Sequence, residues 1–183
     1  MKGQKIITIV DYNPEWPEIY EKEKGLIDGI IADIDHQIEH IGSTSVKGLG
    51  AKAVIDVMIG LENFDRDSEK LVELITGAGY NYIDTFEHTM PYRRYFNKPG
   101  EGVITKYHVH SVQTGGWFWN RHIAFRNYLR DHCDVRDEYC RVKKELAKKV
   151  WDENNDYAWA KTDFIVPVQE KALKIYFPDY EKG

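Results

Sequence analysis

The chain has 183 residues, 42% apolar and 30% charged, with a net charge of −5. This mix describes one globular domain, residues 1–183, long enough for a substantial core, and its acidic balance argues against a general nucleic-acid binder, whose footprint is basic. No apolar run is long enough to span a bilayer, and Met1–Val10 lacks a signal peptide's apolar stretch, so a cytoplasmic location with no membrane partner is expected.

Ile6–Val10 reads as a short strand. Asn13-Pro14 opens a helical pattern in which Trp16, Ile19, Tyr20, Ile27, Ile30, Ile31 and Ile34 recur at helical spacing. Gln37–Gly42 reads as a strand, and Ala53–Leu61 as a central strand covered on both faces, since it is nearly continuously apolar. Ser68 is the expected cap of a second helix through Leu71, Leu74 and Ile75, ending at Gly77 or Gly79. Three strand-like runs follow, Tyr80–Thr85, Tyr92–Asn97 and Tyr107–Gln113, and Asn97–Gly102 is the turn between the last two.

From Trp117 the period becomes helical. Phe118, Phe125, Leu129 and His132 share one face. Val135, Tyr139, Val142, Leu146 and Val150 make a second stripe, and Phe164, Val168, Ala172 and Tyr176 a third. Pro167 implies a kink or a late start in this last helix. Cys133 and Cys140 lie two helical turns apart, the spacing of neither a zinc site nor a disulfide framework, and read as reduced thiols. The order, helix and mixed sheet first and helices last, gives an α+β architecture.

Chemistry concentrates between Glu39 and Asp56. An apolar strand runs into Gly42-Ser43, a short turn follows, and a second apolar strand carries one acid, Asp56. Gly42, Ser43 and Thr44 offer backbone donors and hydroxyls suited to phosphate oxygens, although Ser43 or Thr44 also serves as a plain helix cap. Asp56 lies among Val, Ile, Met and Ala. A carboxylate there must stand at an exposed end, pair with a base or hold a metal. The structural alternative is an ion pair with Lys52, Arg93 or Arg94.

His108 and His110, two apart in a strand, share a face and suit either metal ligation or acid–base work. Glu39 and His40 point to opposite faces of theirs, so only one can join that site, and the same holds for Arg93 and Arg94. Arg121, Arg126, Lys143 and Lys161 read as solvated surface charges, Lys143 within a basic helix face. Trp117, Phe118 and Trp119 read as core or lid packing.

Six segments together carry a family resemblance: Val10–Trp16, Glu39–Val46, Ala51–Asp56, His108–His110, Phe125–Arg130 and Tyr139–Leu146. With them the chain resembles, over nearly its whole length, the GrpB family, a group of small proteins assigned to the nucleotidyltransferase superfamily. The resemblance implies a nucleotidyltransferase-like fold, a mixed sheet with flanking helices and a helical C-terminal part. It implies no defined reaction. Nucleotidyltransferases carry two acids at i and i+2 on the strand after the Gly-Ser turn. Here those positions are Asp56 and Met58, and a thioether is no ligand for a hard cation.

The leading expectation is a nucleotidyltransferase moving a nucleotidyl group from a nucleoside triphosphate to a small acceptor. Gly42, Ser43 and Thr44 would cradle phosphate, and Lys52, Arg93 or Arg94 would neutralise it. Asp56, with His108 and His110, would hold a divalent metal, Mg²⁺, Mn²⁺ or Zn²⁺, or one histidine would act as base. The alternatives are a non-catalytic sensor of a nucleotide or small anion, and a metal-dependent phosphohydrolase.

Overall fold

The computed structural model describes residues 6–152 and 154–180. Its elements are helix α1 (Trp16–Ile30), strand β1 (His36–Ile41), a 3-10 turn (Ser43–Ser45), β2 (Val54–Leu61), α2 (Phe64–Gly77), β3 (Asn81–Tyr82), β4 (Arg93–Pro99) and β5 (Lys106–Gln113). Four helices follow: α3 (Trp117–Asp131), α4 (Cys133–Ala147), the short α5 (Asn154–Trp159) and α6 (Thr162–Tyr176). The expected α+β architecture is the one observed.

The sheet has the order β1-β2-β5-β4-β3, with β2 and β5 parallel and the other pairs antiparallel. Parallel strands need a long crossover, supplied here by α2, β3 and β4. Because successive side chains alternate, β2 sends Ile55, Val57, Ile59 and Leu61 to one face, where they join Trp16, Tyr20 and Ile27 of α1 and Phe64, Leu71 and Ile75 of α2 in the largest apolar cluster. Asp56, Met58 and Gly60 go to the other face. There Met58 joins Ile41, Val112, Phe118, Trp119 and Ile123 beneath α3.

Several boundaries differ from expectation. Residues 6–9 form no strand; Val10 makes only an isolated bridge to Ala51. The first five residues, part of the stretch read for a signal peptide, lie outside the described residues. Helix α2 is capped by Asn63, whose side chain accepts from the Arg66 N–H, and Ser68 is buried inside it. The acids Asp65 and Asp67 in its first turn favour that start through the helix dipole. Of Tyr80–Thr85 only Asn81–Tyr82 pairs, because the chain then folds into turns, with Glu87 N–H bonded to Asp84 C=O.

Helix α6 contains Pro167 and does not start late: its first turn is already formed from Thr162. The stripe read along α4 buries Tyr139 but leaves Val150 exposed. Among the described residues no helix is long and apolar enough to cross a membrane.

Candidate functional site

The last pair of the β1–β2 ladder is Ile41 with Asp56, so the chain turns at Gly42 directly against the Asp56 carboxylate. Gly42 has φ 71°, a left-handed conformation, and a Cβ there would stand 2.2 Å from Asp56 Oδ2. Both facts require glycine. Across the parallel ladder Asp56 pairs with His108, and His108 Nδ1 lies 3.2 Å from Asp56 Oδ1. A carboxylate only accepts, so Nδ1 carries the proton and Nε2 is left as the basic nitrogen. The two side chains remain 25% and 30% exposed, enough to meet a ligand. Burial pushes the Asp56 pKa up, but the His108 hydrogen bond and the nearby imidazoles outweigh it, so the carboxyl titrates below its ordinary value.

Three lysines gather at the same turn. Lys143 Nζ donates to Ser43 Oγ at 2.9 Å and to Gly50 C=O at 2.5 Å, and is almost fully buried. Burial lowers its pKa to about 7. Lys52 and Lys161 both stand over the Tyr157 ring, 4.5 and 4.8 Å from its centroid. Burial lowers both pKa values, that of Lys161 to about 8 with help from the Lys52 charge, while Asp56 acts on both in the opposite sense. The Tyr157 hydroxyl is buried without a hydrogen-bond partner among the described residues. Behind the turn, Arg130 donates twice to Ser45 C=O, and Arg136 donates to Lys47 C=O. The loop thus owes its shape to cations of α3 and α4.

Not every expected residue meets here. Thr44 is buried, donates to Val54 C=O and accepts from His40 Nε2, so it braces the turn and does not face the cleft. His40 itself stacks on Tyr20 of α1, on the opposite side of the sheet. His110 pairs with Met58, not Asp56; it stacks on Tyr95 and lies 3.5 Å from an Arg93 nitrogen. Arg94 points to the α1–α2 face, over Phe64 and toward Glu87. Glu39 is held by Arg126 at 2.5 Å.

Lys143 and Arg126, read as surface charges, are buried, and Lys161 is half-buried. The signal for Lys143 was its place four residues after Tyr139, on the same helical face. A cavity of about 140 Å³ adjoins the turn, lined by Gly42 and Ser43 and by largely apolar residues of α3, α4 and α6, with His122, Arg126 and Gln169 as polar corners.

The donor set does not fit the two-metal arrangement. Among the described residues no three His, Cys, Asp or Glu side chains converge to hold an ion. Asp56 Oδ1 is already bonded to His108, and Met58, where a second acid would stand, is fully buried in an apolar cluster.

The family model described as "GrpB protein" matches residues 6–171. A UPF0157 protein of Streptomyces coelicolor is 34% identical over 91% of this chain and 84% of its own length. The glutamate-rich protein GrpB of Alkalihalophilus pseudofirmus is 34% identical over 90% and 93%. The crystal structure of the conserved protein GrpB from Enterococcus faecalis superposes with a TM-score of 0.79 at 33% identity, covering 93% of this chain and 99% of that one. From its sequence and from its fold, this chain belongs to the GrpB family.

Proposed function

We propose that the chain binds a phosphorylated small molecule, in the first instance a nucleotide, at the Gly42-Ser43 turn. The observation that carries this is the convergence of Lys52, Lys143 and Lys161 on a turn that holds one carboxylate. Three partly desolvated ammonium groups repel one another, and an anionic ligand relieves that cost. Ser43 supplies the geometry. Its oxygen accepts from Lys143, and its own O–H, which meets the Tyr139 hydroxyl, would turn to donate to a phosphate oxygen. Lys143 positions Ser43, while the less buried Lys52 and Lys161 meet the ligand. Because the charge comes from lysines, binding is expected to survive EDTA.

The test is calorimetric titration with ATP, ADP and inorganic phosphate. Wild type should bind at least one of them. Lys52→Gln and Lys161→Gln should each weaken binding about tenfold, the effect of losing one charge-assisted hydrogen bond. Absence of binding at millimolar concentration for all three ligands would overturn the reading.

A second reading, nucleotidyl transfer, is favoured by one observation: Asp56 fixes the tautomer of His108 and leaves Nε2 free as a general base. His108 would take the proton of an acceptor hydroxyl as that oxygen bonds to the α-phosphorus. The α–β bridging P–O bond then breaks, and pyrophosphate leaves with its electron pair. Label from an α-labelled nucleoside triphosphate should appear on the acceptor, and His108→Gln should abolish transfer while leaving binding intact. Equal turnover by His108→Gln would remove the base from the scheme.

A further inference from the structure

We propose that Arg93 and Arg121 form a second oxyanion subsite, which takes a carboxylate or phosphate group at the far end of the same ligand. This rests on the phosphate-binding reading at Ser43. Arg93 pairs with Val112, four residues along β5 from the His108 that faces Asp56. At the rise of a strand this is about 13 Å. It lies on the same sheet face, past His110 and Tyr95, so one extended molecule can reach both ends.

The two guanidinium groups share one platform. Arg93 Cζ is 5.8 Å and Arg121 Cζ 4.7 Å from the Phe118 ring centroid. Arg121 also stands over Trp117 at 4.2 Å, and Arg93 over Tyr95 at 5.2 Å. Among the described residues neither makes an ion pair: Glu87, which pairs with Arg94, acts on Arg93 only through space. Among the described residues the side-chain polar contact of Arg93 is the 3.5 Å approach to His110 Nδ1. Arg121 Nε is buried with no hydrogen-bond partner among the described residues.

Cation–π contact stabilises each group in part. It does not give a buried N–H an acceptor, and two positive groups over one ring repel. His122, stacked on the same ring, has its Nδ1–H committed to Phe118 C=O. The charge beside Arg121 is that of Arg93, with the Tyr92 phenol next to it; burial holds His110 and His122 uncharged, and the carboxylates that act on this cluster, Glu87 on Arg93 and Asp56 on the histidines, do so without contact. Planar forked donors of this kind match a carboxylate or phosphate, where lysines would act as point charges. The rim is open: Tyr92 and Trp117 are 42% and 37% exposed. The ligand class is then a phosphorylated molecule, or a phosphate donor with its acceptor, bearing an additional anionic group at that distance.

The test is ¹H–¹⁵N NMR of the labelled full chain, titrated with inorganic phosphate and separately with acetate. Phosphate should move two groups of signals: the amides around Ser43, and the Arg93 and Arg121 Nε–H groups with the amides of residues 117–122. Arg121→Gln should weaken the second response about tenfold or more and leave the first unchanged. Arg121→Lys, which keeps the charge and loses the fork, should weaken it several-fold; the spectrum itself reports that either variant is folded. Stationary signals at 117–122, for both anions, at concentrations that move Ser43 would overturn this inference alone. Movement at 117–122 with Ser43 stationary would overturn the shared ligand and the reading at Ser43 with it. Whichever anion saturates the arginine signals at lower concentration tells phosphate from carboxylate.

Discussion

On the α1–α2 face, β2 presents Ile55, Val57, Ile59 and Leu61, all fully buried in one continuous cluster. On the α3–α6 face the same strand presents Asp56, Met58 and Gly60, and the apolar residues there split into smaller clusters separated by polar groups. Lys143 and Arg126 are buried among them. Apolar burial stabilises in proportion to area, whereas each buried polar group costs unless it is bonded. One face therefore supplies the stability that lets the other hold charge, cavity and bent loop. The α1–α2 face buries an acid too, Glu23, but bonds it to Tyr80 and Lys98, whereas on the other face Arg121 Nε and the Tyr157 hydroxyl are buried without a hydrogen-bond partner among the described residues.

The adjacent residues Ile55 and Asp56 give the sharpest break of that comparison. Ile55→Ala should lower the free energy of unfolding by about 3 kcal/mol, through lost transfer energy and the cavity left behind. Asp56→Asn should cost about 1 kcal/mol or less, since an amide oxygen still accepts from His108, while weakening whatever chemistry depends on that histidine. Urea unfolding of both variants decides it. Equal losses would mean that the two faces carry equal structural weight. A single transition in these experiments, by fluorescence and by circular dichroism alike, is expected if the chain folds as one domain.

A desolvated histidine on each face, His40 buried and His122 half-buried, extends the comparison to pH. Burial lowers the pKa of His40, under α1, to about 4, and that of His122, in α3, to about 3, where the Arg121 charge adds to the effect. In the unfolded chain both would take up protons near pH 6.5. Because the folded values are depressed, the unfolded state binds more protons below that pH. Their stabilisation is present above pH 6.5 and is lost as pH falls toward the folded values. By pH 5 the loss should be about 2 kcal/mol for each histidine, read as a lower urea midpoint. His40→Gln, which keeps a donor for Thr44 and does not titrate, should flatten part of the slope. A midpoint unchanged between pH 7 and pH 5 would contradict the burial of both.

Asp56 was legible in the sequence because a lone acid in an apolar strand demands a partner, and His108 because strand parity put two imidazoles on one face. Gly42 was legible as a turn, but its contact with Asp56 depends on the β1–β2 register, which no local pattern fixes. Lys143 was misread because it lies in a Lys-Lys-Glu run typical of a solvated face. Only the packing of α4 on the 42–50 loop turns it inward. Tyr157 was passed over, and Lys161 taken for a surface charge, because α5 is too short to show a period. The pairing of Arg93 with Arg121 joins β4 to α3, a contact set by tertiary structure alone. The over-long strand at Tyr80–Thr85 failed for a similar reason: β-propensity describes a surface that packs, and this segment turns away after two residues.

The smallest expected effect separates neighbours in one turn. Ser43 faces Lys143, and Thr44 faces Val54 and His40 beneath α1, so the two hydroxyls belong to the two sides just compared. Ser43→Ala removes one donor to the ligand and one acceptor from Lys143. It should weaken phosphate or nucleotide binding by about 1 kcal/mol, roughly fivefold, with little change in stability because Lys143 keeps its bond to Gly50. Thr44→Val keeps the shape but strands the Val54 carbonyl and the His40 N–H. It should cost about 1–3 kcal/mol of stability and leave affinity nearly unchanged. Calorimetry and urea unfolding on the same two variants read both quantities. If Thr44→Val were to weaken binding more than Ser43→Ala, its hydroxyl would have to leave Val54 when ligand arrives, and the turn would be remodelled on binding rather than preformed.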